Sequence, residues 1–122
     1  MKFSDKRGLK EDLTSTQKGN ESWWDFNTMS YEWKSKIIHK KYSPEWYREI
    51  DKRFIYSGRF FGHENLPFDR VIPYEDLKGK KVLEIGCGMG FHTEMLCKAG
   101  AIVTSIDISQ TSIDATKKRL DF

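Results

Sequence analysis

Long hydrophobic runs are missing from this sequence, and so are the features of several protein classes. No stretch approaches the roughly eighteen continuous apolar residues that a membrane-spanning helix requires, so no membrane span is expected. The N-terminal segment MKFSDKRGLKEDLTSTQKGNES has no apolar core of the signal-peptide kind, and its acids Asp5, Glu11 and Asp12 do not suit an organelle transit peptide. Cysteine is scarce: Cys87 and Cys97 make no disulfide framework and have no companions at zinc spacing. They read as reduced thiols of a cytoplasmic protein. The three histidines, His39, His63 and His92, are scattered, so no metal site is expected. Charge of one sign is also lacking. Residues 1–60 carry 13 Lys/Arg against 9 Asp/Glu and residues 61–122 carry 8 against 9, an asymmetry too weak to point to nucleic acid. The basic run KSKIIHKK, Lys34 to Lys41, reads as a solvated helix face.

What is present falls into three parts. Residues 1–22 are polar and without periodicity and read as a disordered or loosely docked arm. Residues 23–62 hold all four tryptophans and form an aromatic-rich helical segment. In it, Ser30 is expected to cap a helix reaching about Lys41, with Trp33 and Ile37 on one face. A stronger start follows: Ser43 at the N-cap, Pro44 at the first helical position and Glu45 in the first turn. Trp46, Ile50 and Phe54 then recur at four-residue steps, and Gly58 stops the helix. Such a stripe is more often core than ligand box.

Residues 63–122 change period. After a loop and a short turn near Pro73, KVLEI (Lys81 to Ile85) reads as a strand buried on both faces apart from Glu84. Three glycines follow in GCGMG, then a helix from Phe91 to Gly100 with Phe91, Met95 and Leu96 inward. Ala101 to Ile108 is a second strand, and Ser109 caps a last helix with Ile113, Thr116 and Leu120 on its inner face. Strand, glycine loop, helix, strand, helix is the opening half of a doubly wound, Rossmann-like α/β fold.

The glycine loop ends the first strand. Gly86 permits the sharp turn, Gly88 lets a ligand lie on bare backbone and Gly90 lets the helix pack close to the strand. A dinucleotide fingerprint wants a small residue where Phe91 stands. Glu84, before the first glycine, opposes a diphosphate and suits a ligand with positive charge. Asp107, 21 residues after Gly86, ends the second strand, where a carboxylate can accept from both ribose hydroxyls. An adenosine-bearing, cationic cofactor without phosphate satisfies all three, which is S-adenosylmethionine.

VLEIGCGMGFHTEMLCKAGAIVTSIDIS, Val82 to Ser109, resembles motif I and the following acidic motif of class I S-adenosylmethionine-dependent methyltransferases. The aromatic prelude, WWDFNTMSYEWK followed by SPEWYREIDKRF, more loosely resembles the N-terminal segment of a bacterial branch of these enzymes, which commonly forms a helical lid. The resemblance implies that Glu84 holds the methionine end of the cofactor, that Gly86, Cys87, Gly88 and Gly90 form the backbone cradle, that Asp107 binds the ribose and that Ile108 packs on the adenine. His92 has two equal readings, as a cofactor-facing residue and as a polar helix-start residue. Tyr31 and Trp33 offer faces that attract a sulfonium, with a core role the stronger reading for both. Cys87 is a small filler and no nucleophile. The family's fold is about twice this length, so the chain reads as the front portion of an enzyme, its partners being a missing C-terminal half or a second copy. No catalytic residue is assigned, and the methyl acceptor is expected to be a small molecule. The rival readings are a non-catalytic docking partner, a degenerate product that does not fold and, more remotely, a nicotinamide-dependent oxidoreductase.

Overall fold

The computed structural model describes residues 2–3, 14–63 and 66–122. The element order is β1 (Lys2–Phe3), α1 (Ser15–Phe26), α2 (Pro44–Ser57), β2 (Lys81–Ile85), α3 (Phe91–Lys98), β3 (Ile102–Ile106) and α4 (Gln110–Leu120), with single 3-10 turns at Arg59–Phe61 and Tyr74–Asp76. The sheet is parallel, in the order β1-β3-β2. β2 and β3 pair in register from Lys81 opposite Ile102 to Ile85 opposite Ile106. The βαβα order expected from periodicity is therefore present. The sheet has a third strand that was not foreseen, because β1 lies along the outer edge of β3, Lys2 opposite Thr104. That edge offers unpaired backbone groups, which any extended segment within reach can satisfy.

Burial on β2 alternates instead of covering both faces. Val82 and Glu84 are half-buried, whereas Leu83 and Ile85 are 60 % and 76 % exposed and Ile102 on β3 is 53 % exposed. Val103 and Ser105 are buried on the covered face, where Thr93 of α3 reaches Glu84. Among the described residues the other face of the sheet has no covering helix, which corrects the reading of β2 as a strand buried on both sides.

α2 starts as its local signals dictate. Ser43 Oγ accepts from Trp46 N at 3.2 Å and Pro44 takes the first position. Trp46, Tyr47 and Ile50 are buried. Gly58 ends it, and a Cβ there would collide with the Phe68 ring. The helix expected from Ser30 to Lys41 does not form; residues 27–43 are a chain of turns. Tyr31 and Tyr42 have φ of 59° and 65°, which no right-handed helix accommodates. Side chains take the backbone polar atoms instead. Arg53 donates to the carbonyls of Tyr31 and Ser35 at 2.9 and 2.5 Å, and Glu32, not Ser30, accepts from Ile37 N at 3.4 Å. Trp33 and Ile37 share no face: Ile37 is buried and Trp33 is 63 % exposed.

The arm expected over residues 1–22 lies partly outside the described residues, and its last part is helical. α1 opens with a capping box in which Thr14 and Gln17 satisfy each other's backbone N–H.

One core joins the aromatic segment to the α/β part. Tyr31, Ile37, Trp46, Tyr47 and Ile50 cluster with Met89 of the glycine loop and Ala115 of α4. Tyr47 Oη donates to Ala115 O at 2.6 Å. Beside it lies the buried Arg119 guanidinium, which forks onto Asp51 of α2 at 2.8 and 2.6 Å and reaches Glu94 of α3 at 2.5 Å. Three helices thus meet at one cation.

Candidate cofactor cleft

The chain leaves β2 through a turn that only glycine supplies easily. Gly86, Gly88 and Gly90 have φ of 81°, 54° and 84°. The loop is held from below, with Gly86 N donating to Ile106 O at 2.7 Å and Gly90 N to Cys87 O at 2.9 Å. A Cβ at Gly86 or Gly88 would meet nothing within 4 Å, so the backbone there faces open space. Gly90 differs. A Cβ there would press on Thr116 at 3.0 Å and Arg119 at 3.2 Å, so this glycine sets the approach of α3 to α4, not to the strand as expected.

Asp107 follows β3 and is half-buried. Its Oδ2 accepts from Gly88 N at 2.9 Å and its Oδ1 from Ser109 N at 2.8 Å. The carboxylate is thereby fixed beside the open glycine backbone. Each oxygen keeps a further lone pair, which is what two adjacent ribose hydroxyls need. Ile108, next to it, is half-buried.

Glu84 is half-buried on the covered face of the sheet. One of its oxygens accepts from Thr93 Oγ1 at 2.5 Å and Ser105 Oγ at 2.6 Å. It sits under the loop, between α3 and β3, as a fixed negative charge behind the cleft. Cys87 is buried, Thr116 Oγ1 approaches its sulfur at 3.5 Å, and burial pushes its thiol up to about 11. Such a thiol is protonated at neutral pH and fits a filler role.

A cleft of about 160 Å³ opens on the loop. Residues 86–89 of the loop with Phe91 and His92 of α3 line one side; Met29, Tyr31, Ile50 and Phe54 line the other. Tyr31 thus reaches the cleft although its ring is largely core. Trp33 stacks behind it at 4.8 Å between centroids and is not among the lining residues. His92 is half-buried among Phe54, Phe68 and Phe91, with ring centroids at 5.3, 4.8 and 5.3 Å. Burial lowers its pKa, partly opposed by the charge of Glu84. Its Nδ1 is buried and has no hydrogen-bond partner.

Sequence reasoning missed Asp25. Its Oδ1 accepts from Ser109 Oγ at 2.7 Å and Thr111 N at 3.2 Å. It therefore closes the start of α4, two residues past Asp107, from the far end of the chain. Nothing local announces a contact across more than eighty residues; the tryptophan pair before it is the only mark. Arg119 was missed for the same reason.

These residues fit an adenosyl ligand with a polar amino-acid end. There is bare backbone at Gly86 and Gly88 and a doubly accepting acid at Asp107. Comparison with known proteins points the same way. Residues 82–122 match the family model described as a methyltransferase domain. The chain is 34 % identical over 110 residues to a ubiquinone biosynthesis O-methyltransferase of Pelagibacter ubique, covering 88 % of this chain and 38 % of the relative. It is 32 % identical over 113 residues to the protein of the same name from Methylocella silvestris, covering 91 % and 40 %. With that of Coxiella burnetii it shares 51 % identity over 45 residues, covering 37 % and 19 %. The chain thus spans from 19 % to 40 % of the length of these curated relatives. No solved structure matches it. Among the described residues, no helix is long and apolar enough to cross a membrane.

Proposed function

We propose, from the match of residues 82–122 to a methyltransferase domain, that this chain is the cofactor-holding portion of a class I S-adenosylmethionine-dependent enzyme that methylates a hydroxyl group of a small molecule. When bound, S-adenosylmethionine supplies a methyl group on a sulfonium, already a good leaving group. The protein's share is to grip and align. Asp107 accepts from the ribose hydroxyls, Gly86 and Gly88 keep side chains out of the ligand's path, and Cys87 and Gly90 complete the backbone cradle. Ile108 flanks the adenine, and Glu84 supplies negative charge under the methionine end. The aromatic segment, residues 23–62, forms the opposite wall and excludes water from the reacting centre.

The observation that carries this reading is the open Gly86–Gly88 backbone fixed against the Asp107 carboxylate. The acceptor's hydroxyl is inferred from the names of the relatives, and two unbridged thiols suit a cytoplasmic protein. The exposed Leu83, Ile85 and Ile102 support the idea that further polypeptide, as a C-terminal half or a second copy, covers that face. Calorimetric titration with S-adenosylhomocysteine, with NAD as control, tests the reading. Saturable binding of the first alone is expected; binding of NAD alone, or of neither by a folded chain, overturns it.

A further inference from the structure

We infer that Asp25 is a positioning residue for ribose recognition: through the Ser109 hydroxyl it holds the Asp107 carboxylate in the orientation that two ribose hydroxyls require. The inference rests on the cofactor reading above, in which Asp107 takes the ribose. Asp25 stands in the last turn of α1, where its charge adds to the negative end of its own helix dipole, and no basic side chain in that turn offsets it. It is misplaced for α1 and well placed for α4. Its Oδ1 accepts from Ser109 Oγ at 2.7 Å and Thr111 N at 3.2 Å, at the positive end of α4 and on an amide that has no acceptor within that helix. An apolar stripe normally holds a surface helix to its protein. In α1, however, Trp23, Trp24 and Phe26 are exposed and only Glu21 is buried. A polar tie at Asp25 stands where an apolar contact would be expected.

That tie leads to the ribose acid. Ser109 is fully buried. Its oxygen caps α4 by accepting from Ser112 N at 3.1 Å, so its one hydrogen needs an acceptor elsewhere, and Asp25 is that acceptor. With the hydroxyl held on both sides, the serine backbone is held too, and its N donates to Asp107 Oδ1 at 2.8 Å. Oδ2 is fixed separately by Gly88 N at 2.9 Å. A carboxylate pinned at both oxygens presents its remaining lone pairs in set directions, the condition for gripping two hydroxyls at once. Without Asp25 the serine hydrogen is buried with no acceptor. Ser109 then reorients and Oδ1 loses its alignment, while Oδ2 keeps the bond from Gly88. The loss falls on the ribose and not on the adenine or the amino-acid end. The chain after α1 continues through Met29 and Tyr31 into the cleft wall, so the same acid joins the two sides of the cleft.

The test is calorimetric titration of the full chain with S-adenosylhomocysteine and with its 2′-deoxy and 3′-deoxy analogues. The wild type is expected to bind each analogue about tenfold or more weakly, the scale of a lost hydrogen bond to a charged group. In Asp25→Ala the discrimination against at least one analogue is expected to shrink to about threefold or less, through weaker binding of the parent ligand. Asp25→Asn, whose amide oxygen can accept from both Ser109 and Thr111, is expected to keep the wild-type discrimination. Ser109→Ala breaks the same link from the other end. It is expected to match Asp25→Ala, with the double variant losing no more than either, and it carries the test should Asp25→Ala not fold. Unchanged binding or equal losses for all three ligands in Asp25→Ala, full discrimination in Ser109→Ala, or failure of asparagine to preserve it overturns the assignment. A folded wild type that binds none of the three, or binds the deoxy analogues as tightly as the parent, overturns the ribose reading beneath it.

Discussion

Cys87, in the glycine loop after β2, and Asp107, after β3, are expected to respond to substitution in opposite ways. Asp107→Ala removes the acceptor proposed for two ribose hydroxyls and is expected to weaken S-adenosylhomocysteine by about 1.5–3 kcal/mol, read by calorimetry. It also frees Gly88 N and Ser109 N, both bonded to this carboxylate, so part of that loss reflects a looser loop. Cys87→Ala is expected to leave affinity nearly unchanged. With its thiol pushed up to about 11 by burial, Cys87 is also expected to resist alkylation at pH 8, where mass spectrometry of the two cysteine peptides provides the reading. His92 adds a pH signature to stability. Its folded-state pKa lies below the ordinary value because burial disfavours the cation, so the unfolded chain binds the proton more readily. The stability it contributes is full above the unfolded pKa of about 6.5 and is lost as pH falls through that value toward the lowered one. A thermal melt series across this window is expected to flatten in His92→Leu. Asp107 was legible in the sequence because a strand-end acid stands at a characteristic distance from the glycine loop in a βαβ unit, although its partner Gly88 is 19 residues away. Asp25 was not, because its partners Ser109 and Thr111 are reached only through the folded chain.

At the scale of elements, legibility followed the range of the forces. α2 announced itself with Ser43, Pro44 and Glu45, signals that act within one turn, and it formed over Pro44–Ser57. The 30–41 stretch carried a similar but weaker pattern and lost to Arg53 of α2, which takes its carbonyls, and to Glu32, whose side chain takes Ile37 N within the stretch. α1 shows the converse. Its Thr14–Gln17 capping box was present in the sequence but sat in composition that argued for an unstructured arm. Two substitutions test how these elements are joined. Gly58→Ala places a methyl group in the Phe68 ring and is expected to destabilise by about 1–3 kcal/mol. Arg119→Met leaves Asp51 of α2 without its buried cation and is expected to cost about 3–5 kcal/mol. Both are read from urea unfolding midpoints, with Ser43→Ala as a milder comparison at about 1 kcal/mol.

For the whole molecule, the sheet divides the surface into two kinds. The covered face carries the packing that unites the aromatic segment with the α/β part, while the open face presents Leu83, Ile85 and Ile102 to solvent. Ile85→Lys is therefore expected to reduce self-association in sedimentation velocity without changing ligand affinity, since that side chain is 76 % exposed and no part of the cleft wall. The Arg119 fork bears on a different property, the rate at which a ligand arrives and leaves. A helix bound to two others through a buried guanidinium cannot swing aside on its own, so α2 is a fixed wall. What can yield is the chain of turns before it, whose carbonyls at Tyr31 and Ser35 hang on the single side chain of Arg53. Arg53→Ala is expected to speed both association and dissociation in stopped-flow traces while changing their ratio far less, as befits a gatepost that sets traffic and not destination.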